Sequence, residues 1–162
     1  MKFFRSILLL ISLVSIPITA IDKQAHIDGK FFPKLSDYRF FKDLTSQTPV
    51  DEVLPYQLQS ELFSDYTYKQ RFVYVPPAMK VGHEKNKVFM FPVGSVLIKT
   101  FSYQNTVSEL TPQLLETRLL IHSEGGWKAV SYIWNEDQSE AYLSLVGGTI
   151  QTSFSDGSTF LL

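Results

Sequence analysis

The side chains best suited to metal binding are three histidines, His26, His83 and His122. They stand far apart in the sequence, and none has a Cys, Asp or Glu at ligand spacing on the same predicted element. A shared site would need the fold to gather them. We therefore expect ordinary surface or edge histidines and no bound metal.

A second group with ligand chemistry is the acidic turn that contains Asn135, Glu136, Asp137 and Glu140. Carboxylate and amide oxygens are the ligands that Ca²⁺ prefers, which makes these four residues calcium candidates. The alternating aspartates and the glycine of a dedicated calcium loop are missing. We therefore expect a solvated acidic turn and keep calcium binding as the alternative.

Patterns typical of catalysis are weak. The Gly-x-Ser-x-Gly motif of serine hydrolases is absent, and Gly94-Ser95 lies in a predicted turn, not in a strand-to-helix elbow. Glu116 and Arg118 are two residues apart on one predicted strand, so they share a face, and an exposed ion pair explains them more simply than substrate orientation. We assign no catalytic residue and expect no enzyme. A site built from dispersed carboxylates is the remaining enzymatic alternative.

The composition is typical of an ordinary globular protein. The chain has 162 residues, of which 44% are hydrophobic and 14% aromatic, and this length favours a single domain. It contains no cysteine. Disulfides, thiolate metal sites and covalently attached haem are therefore excluded, and packing alone must hold the fold together.

The first twenty residues have the pattern of a secretory signal. Lys2 and Arg5 precede an apolar run at 7–18, and Ala20 would be the last residue before cleavage. We expect an exported protein, periplasmic or at the cell surface. A retained anchor is the alternative, and an uncleaved signal segment is the only membrane contact that we expect.

The charge balance bears on the partner. Removing Lys2 and Arg5 from the 15 basic side chains leaves 13 against 16 acidic ones, a net charge of about −3. No basic field remains that would neutralise phosphates, so nucleic acid is excluded as a partner.

Two long strands around the turn Glu124-Gly125-Gly126 are the element around which we expect the fold to be organised. If His122 faces Trp127, one face is apolar and should be the core. It carries Leu115, Thr117, Leu119, Ile121, Lys128, Val130, Tyr132 and Trp134. The opposite face is mixed and should be half covered. It carries Glu116, Arg118, Leu120, His122, Trp127, Ala129, Ser131 and Ile133.

Other segments complete a β-rich pattern. We predict a polar leader at 21–34, a short helix at 37–43 capped by Ser36, and a strand at 71–75 that Pro76-Pro77 ends. Two more hairpins are predicted. They pair 88–91 with 96–103, and 141–146 with 149–154 across Gly147-Gly148.

The chain stops within a further predicted strand at 159–162, as a truncated domain would. The fold class is therefore all-β, an antiparallel sandwich or barrel-like domain over residues 35–162 with one short N-terminal helix.

Aromatic side chains are dense and allow two interpretations. Phe63, Tyr66, Tyr68, Phe72 and Tyr74 fit a core better than a sugar-stacking surface. Trp127 and Trp134 are the candidates for a ligand-binding surface.

Several stretches, taken together, resemble the N-terminal domain of a family of exported bacterial diheme c-type cytochrome-like proteins. They are LFSDY at 62–66, RFVYVPP at 71–77, FPVGSVLIKTF at 91–101, LETRLL at 115–120, GWKA at 126–129 and YIWNEDQ at 132–138. In that family a region with Cys-x-x-Cys-His haem-attachment motifs follows this domain. Such a region is missing here, so the resemblance implies an electron-transfer setting and no cofactor in this chain.

The main functional prediction is a non-catalytic, exported β module that docks a protein partner, such as a c-type cytochrome, or supports it structurally. The alternative is a carbohydrate- or cell-surface-binding β-sandwich that uses exposed tryptophans.

Overall fold

The computed structural model describes residues 20–60, 63, 67–104, 112–145, 151–153 and 159–161. The signal segment, the turn at Gly147-Gly148 and Tyr66 lie outside these residues. The described elements are α1 (Lys23–Asp28), a 3₁₀ turn (Ser36–Tyr38), β1 (Phe41–Asp43), β2 (Thr48–Pro49), β3 (Val53–Pro55), β4 (Tyr68–Tyr74), β5 (Val96–Tyr103), β6 (Gln113–Ser123), β7 (Gly126–Trp134), β8 (Ala141–Ser144), β9 (Gln151–Ser153) and β10 (Thr159–Leu161).

The fold is all-β, antiparallel and sandwich-like, as predicted. Strands β3 to β8 form one six-stranded sheet in sequence order, and β1–β2 and β9–β10 form two antiparallel pairs. The described residues include no helix long and apolar enough to cross a membrane.

The central hairpin of β6 and β7 has the predicted register. His122 lies opposite Trp127, and Gly126 takes the positive φ of 98° that the tight turn requires. Seven of the eight residues of the predicted core face are buried, and Lys128 is half-buried. The seven are Leu115, Thr117, Leu119, Ile121, Val130, Tyr132 and Trp134. The alternation of apolar and polar residues therefore identified the inner face of the sheet.

The prediction was wrong for Leu115, which is not part of the core cluster on this face. The pairing of β5 with β6 shifts between Phe101 and Ser102, because Phe101 faces Glu116 but Ser102 faces Leu114. The extra residue of such a bulge reverses the alternation beyond it. Leu114 therefore belongs to the core cluster, whereas Leu115 is buried outside it.

The N-terminal segment covers the inner face of the sheet. Leu35, Tyr38 and Phe40 belong to the same buried cluster as the side chains of β4 to β8. Backbone hydrogen bonds fix this segment to β8, from Leu35 N to Ala141 O at 2.9 Å and from Leu143 N to Pro33 O at 3.0 Å. These contacts supply the second layer that a one-sided sheet needs to bury its apolar face.

The segment predicted as a polar leader contains the helix α1. Asp22 caps it by accepting a hydrogen bond from Ala25 N at 3.0 Å, and Gly29 ends it with a φ of 65°. Ala25 and His26 are buried. Residues 21–34 are therefore structured where the composition indicated only a leader.

The helix predicted at 37–43 was wrong. Only the 3₁₀ turn forms, Arg39 follows with a φ of 59°, and β1 occupies the rest of the predicted segment. Tyr38 and Phe40 both point into the core. A spacing of two residues is the strand period, and burial of both rings outweighs the helical cap signal at Ser36.

The strand predicted at 88–91 was also wrong. Met90 makes an isolated bridge to Gly82, and β5 pairs instead with β4 and β6. At the predicted turn, Gly94 and Ser95 bond to the backbone of His122. Strand β9 pairs with β10, and the predicted last strand forms from Thr159 to Leu161.

Candidate binding face

The outer face of the six-stranded sheet carries an aliphatic row. The cross-strand register aligns Leu54, Val73, Leu97, Leu120 and Ala129 from β3 to β7. Leu54 is exposed over 60% of its surface and Leu120 over 36%. An apolar row of this kind is a feature that proteins use to bind partners.

A cation row lies two residues further along the same strands. Arg71 is opposite Lys99, and Lys99 is opposite Arg118. Like charges directly opposite each other on a sheet lower its stability. Arg71 is buried, with 6% of its surface exposed, so Lys99 and Arg118 are the members of this row that reach the surface.

Two neighbours offset the repulsion within the cation row. The Arg118 guanidinium donates to Glu116 through Nε and Nη2, both at 2.8 Å, which confirms the predicted ion pair. The Lys99 Nζ lies 4.4 Å and the Arg118 Cζ 4.8 Å from the centroid of the Phe101 ring. Burial acts to raise the pKa of Glu116, but hydrogen bonds from Arg118 and Ser131 and the nearby cations hold that pKa below its ordinary value.

An aromatic cluster lies at the turn end of the outer face. The His122 and Trp127 rings stack at 4.5 Å with 10° between their planes, and the edge of Phe91 meets Trp127 at 6.2 Å. His122 Nδ1 lies 2.9 Å from the Phe91 carbonyl oxygen. Phe89 continues the cluster toward His83. Four contacts thus hold five rings in a chain.

The two tryptophans differ in environment. Trp127 is 42% exposed, so it remains a candidate for ligand contact. Trp134 is only 4% exposed, and its Nε1 donates to Thr117 Oγ1 at 3.0 Å. The prediction of a ligand surface at Trp134 was wrong, because its position on the inner face places the indole in the core.

The aromatic residues of β4, together with Phe63 before it, follow the same division. Phe72 and Tyr74 are buried, as a core role requires, whereas Phe63 and Tyr68 are exposed. The four described rings of this set therefore lie in two environments, and the prediction of a core role was wrong for Phe63 and Tyr68.

The acidic turn uses its oxygens internally. Asn135 Oδ1 accepts from the backbone N–H groups of Ser139 and Glu140 at 3.0 and 3.1 Å. The Glu140 carboxylate accepts from Ser36 N at 3.2 Å and Ser36 Oγ at 2.5 Å. Asp137 accepts from Ser139 Oγ at 3.0 Å, and Glu136 is exposed. The calcium candidates lie together, but three of the four already hold protein donors.

The three histidines are not brought together, and the described part of the chain has no group of three or more His, Asp or Glu residues that could hold a metal. His122 lies on the outer face and His83 is exposed, as expected. The expectation was wrong for His26, which has no exposed surface.

His26 is enclosed by aromatic rings. Its ring centroid lies 5.8 Å from that of Tyr38, 5.4 Å from Phe40 and 5.5 Å from Tyr74. The Gly94 backbone is near, but neither ring nitrogen makes a hydrogen bond of normal geometry. Burial lowers the pKa of His26 to about 4, against the smaller opposing effects of Asp22 and Gly94. The imidazole is therefore neutral and part of the core.

Sequence reasoning missed the cation row and the contribution of Phe89 and Phe91 to the outer face. Only the strand register reveals the row, because its members come from three strands. The run Val88-Phe89-Met90-Phe91 was a visible signal, but its alternation predicted a strand.

Comparison of the chain with models of protein families, with curated proteins and with solved structures found no match.

Proposed function

We propose that this chain is a non-catalytic, exported β module that docks a partner protein through the outer face of its six-stranded sheet. The observation that carries the proposal is the aliphatic row beside the cation row. The aliphatic row offers exposed apolar surface, and Lys99 and Arg118 beside it supply positive charge. This combination favours a role in recognition.

The chemistry of the face sets the chemistry of the partner. A complementary surface would place apolar side chains on Leu97 and Leu120 and acidic groups near Lys99 and Arg118. Such a surface gains from burial of apolar area, and opposite charges steer its approach and fix its orientation.

A c-type cytochrome is the first partner to test. The motivation is the resemblance to domains that precede a haem region, with the redox group supplied by the partner and none by this chain. The role is then docking or structural support within an electron-transfer assembly.

The test is calorimetric titration of the full chain with a purified diheme c-type cytochrome. We expect saturable binding that weakens as salt is added, because the cation row contributes. In the double variant Leu97→Ser with Leu120→Ser, loss of apolar contact should weaken binding by roughly tenfold or more.

Tyr142→Ser is the matched control. Tyr142 is an exposed residue of the outer face on β8, away from the aliphatic row. We expect near-normal affinity for this variant. Equal loss in both variants, or unchanged binding in the double variant, would contradict docking at the aliphatic row.

Carbohydrate binding is the second candidate function, and Trp127 is the observation that favours it. Its indole is exposed and held against His122, which gives a pre-ordered surface for a sugar ring. Glycan-array binding by the wild type that Trp127→Ala abolishes would support this function. Glycan binding that persists in Trp127→Ala would show that Trp127 does not form the sugar-binding surface.

A further inference from the structure

The loop of residues 79–90 combines exposed apolar side chains with lysines. Val88 is 86% exposed and Phe89 61%, and about half of the surface of Met79 and of Met90 is exposed. The loop carries Lys80, Lys85 and Lys87 against one acidic residue, Glu84, a local net charge of +2 in a chain of net charge −1. The loop therefore differs in character from the rest of the chain.

Two kinds of contact order the segment that carries these apolar side chains. Gly82 and Met90 exchange two backbone hydrogen bonds, of 2.8 and 2.9 Å, which close the base of the loop. The Phe89 ring contacts His83 and Phe91. The loop is thus partly ordered before it binds, which reduces the conformational entropy that binding costs.

We propose that this loop docks the protein to an anionic lipid surface, with Val88, Phe89 and Met90 entering the interfacial region and the lysines contacting headgroups. This contact is separate from the apolar run at 7–18 and involves none of the residues of the aliphatic row proposed above to dock a protein. Interfacial binding of this type combines buried apolar area with attraction to anionic lipid.

The residue types favour a membrane over a protein partner for this loop. Protein interfaces are depleted in lysine and enriched in arginine. All three cations of the loop are lysines, and all three are exposed. The Lys87–Glu84 ion pair leaves Lys80 and Lys85 as the principal contributors of charge.

The absence of cysteine allows a local test. Residues 1–20 would bind vesicles by themselves if retained, so the measurement must report on the loop. Val88→Cys in the full chain would carry an environment-sensitive fluorophore. Glu136→Cys, beyond the end of β7 remote from Trp127, is the matched control position. The vesicles contain phosphatidylglycerol and phosphatidylcholine in equal parts, or phosphatidylcholine alone.

We expect the label at Val88, and not at Glu136, to shift to shorter wavelength and to be quenched by brominated acyl chains in the anionic vesicles. Neutralising Lys80 and Lys85 with glutamine should weaken the effect about fivefold for each lysine. Phe89→Ser should weaken it further, with near-ultraviolet circular dichroism confirming the fold.

Two results would overturn the proposal. One is a label at Val88 that stays in water while the chain binds anionic vesicles. The other is an equal response with phosphatidylcholine alone, since the lysines would then contribute nothing. Failure of this test leaves the calorimetric titration unaffected, because that experiment involves other residues and no lipid.

Discussion

The hydroxyl groups of Tyr38 and Tyr132 lie 2.8 Å apart inside the core. Phe32 bonds to both hydroxyls: its N–H donates to Tyr38 Oη at 3.3 Å, and its carbonyl accepts from Tyr132 Oη at 2.8 Å. We call these three hydrogen bonds the tyrosine circuit. The N-terminal segment is thereby joined to the centre of the sheet. Burial raises the pKa of both tyrosines, so both remain neutral donors.

The first prediction concerns the tyrosine circuit. Tyr132→Phe removes one hydroxyl, so the Phe32 carbonyl loses its donor and the Tyr38 hydroxyl hydrogen loses its acceptor. We expect a loss of about 1–3 kcal/mol in the free energy of unfolding, measured by urea denaturation. Tyr142→Phe, at an exposed tyrosine, is the control and should change it by less than about 0.5 kcal/mol. Equal effects of the two substitutions would show that the circuit contributes nothing.

The second prediction concerns pH and His26. Its pKa falls from the ordinary 6.5 to about 4 in the folded state, so the folded protein binds fewer protons than the unfolded chain between these values. His26 therefore costs no stability above its unfolded pKa, and stability is lost as the pH falls from there toward the folded pKa. The loss should approach about 3 kcal/mol.

His26→Phe isolates this contribution, because phenylalanine fills the same aromatic enclosure without titrating. We expect urea denaturation at a series of pH values to show a weaker fall in stability on the acid side for His26→Phe than for the wild type. Parallel pH profiles would mean that His26 is protonated as easily in the folded protein as in the unfolded chain.

The third prediction tests the turn that precedes β5. Gly94 has a φ of 91°, and an added Cβ would lie 3.0 Å from Pro76 Cγ. Gly94→Ala should lower the free energy of unfolding by about 1–3 kcal/mol. At Gly125 the nearest atom to an added Cβ would be Ser123 Oγ at 3.8 Å, so Gly125→Ala is the matched control. A smaller effect at Gly94 than at Gly125 would contradict the described turn.

The fourth prediction concerns the charge balance of the cation row. Glu116→Gln removes the carboxylate that pairs with Arg118, which lies opposite Lys99 on β5. We expect a loss of about 1 kcal/mol at low ionic strength that shrinks as salt is added. Asp51→Asn removes a more exposed ion pair, with Lys42, and should have a smaller effect. A loss for Glu116→Gln that does not depend on salt would argue against repulsion within the row.

The central hairpin was predictable because its signals are local. The Gly125-Gly126 turn and the alternation around it fix both the register and the inner face. The bulge that places Leu114 in the core cluster, where Leu115 was predicted, could not be foreseen. It depends on how β5 pairs with β6. The same holds for His26, whose enclosing rings come from distant segments of the chain.

The outer face shows where sequence reasoning stops for function. The Glu116–Arg118 pair follows from a two-residue spacing within one strand. The alignment of Arg71 with Lys99 depends on the pairing of β4 with β5, and no local pattern encodes that. Trp127 and Trp134 were equivalent candidates by residue type. They differ only in the face of the sheet on which each lies, which leaves Trp127 exposed and Trp134 buried.

The most direct test of outer-face docking is amide NMR of the ¹⁵N-labelled full chain during titration with the diheme c-type cytochrome. The account predicts that shifts and line broadening concentrate at Leu97, Leu120 and their strand neighbours, while the amides of β1 and α1 on the other side of the sheet stay unchanged. Perturbations that concentrate on β1 and α1, or none at saturating cytochrome, would contradict it.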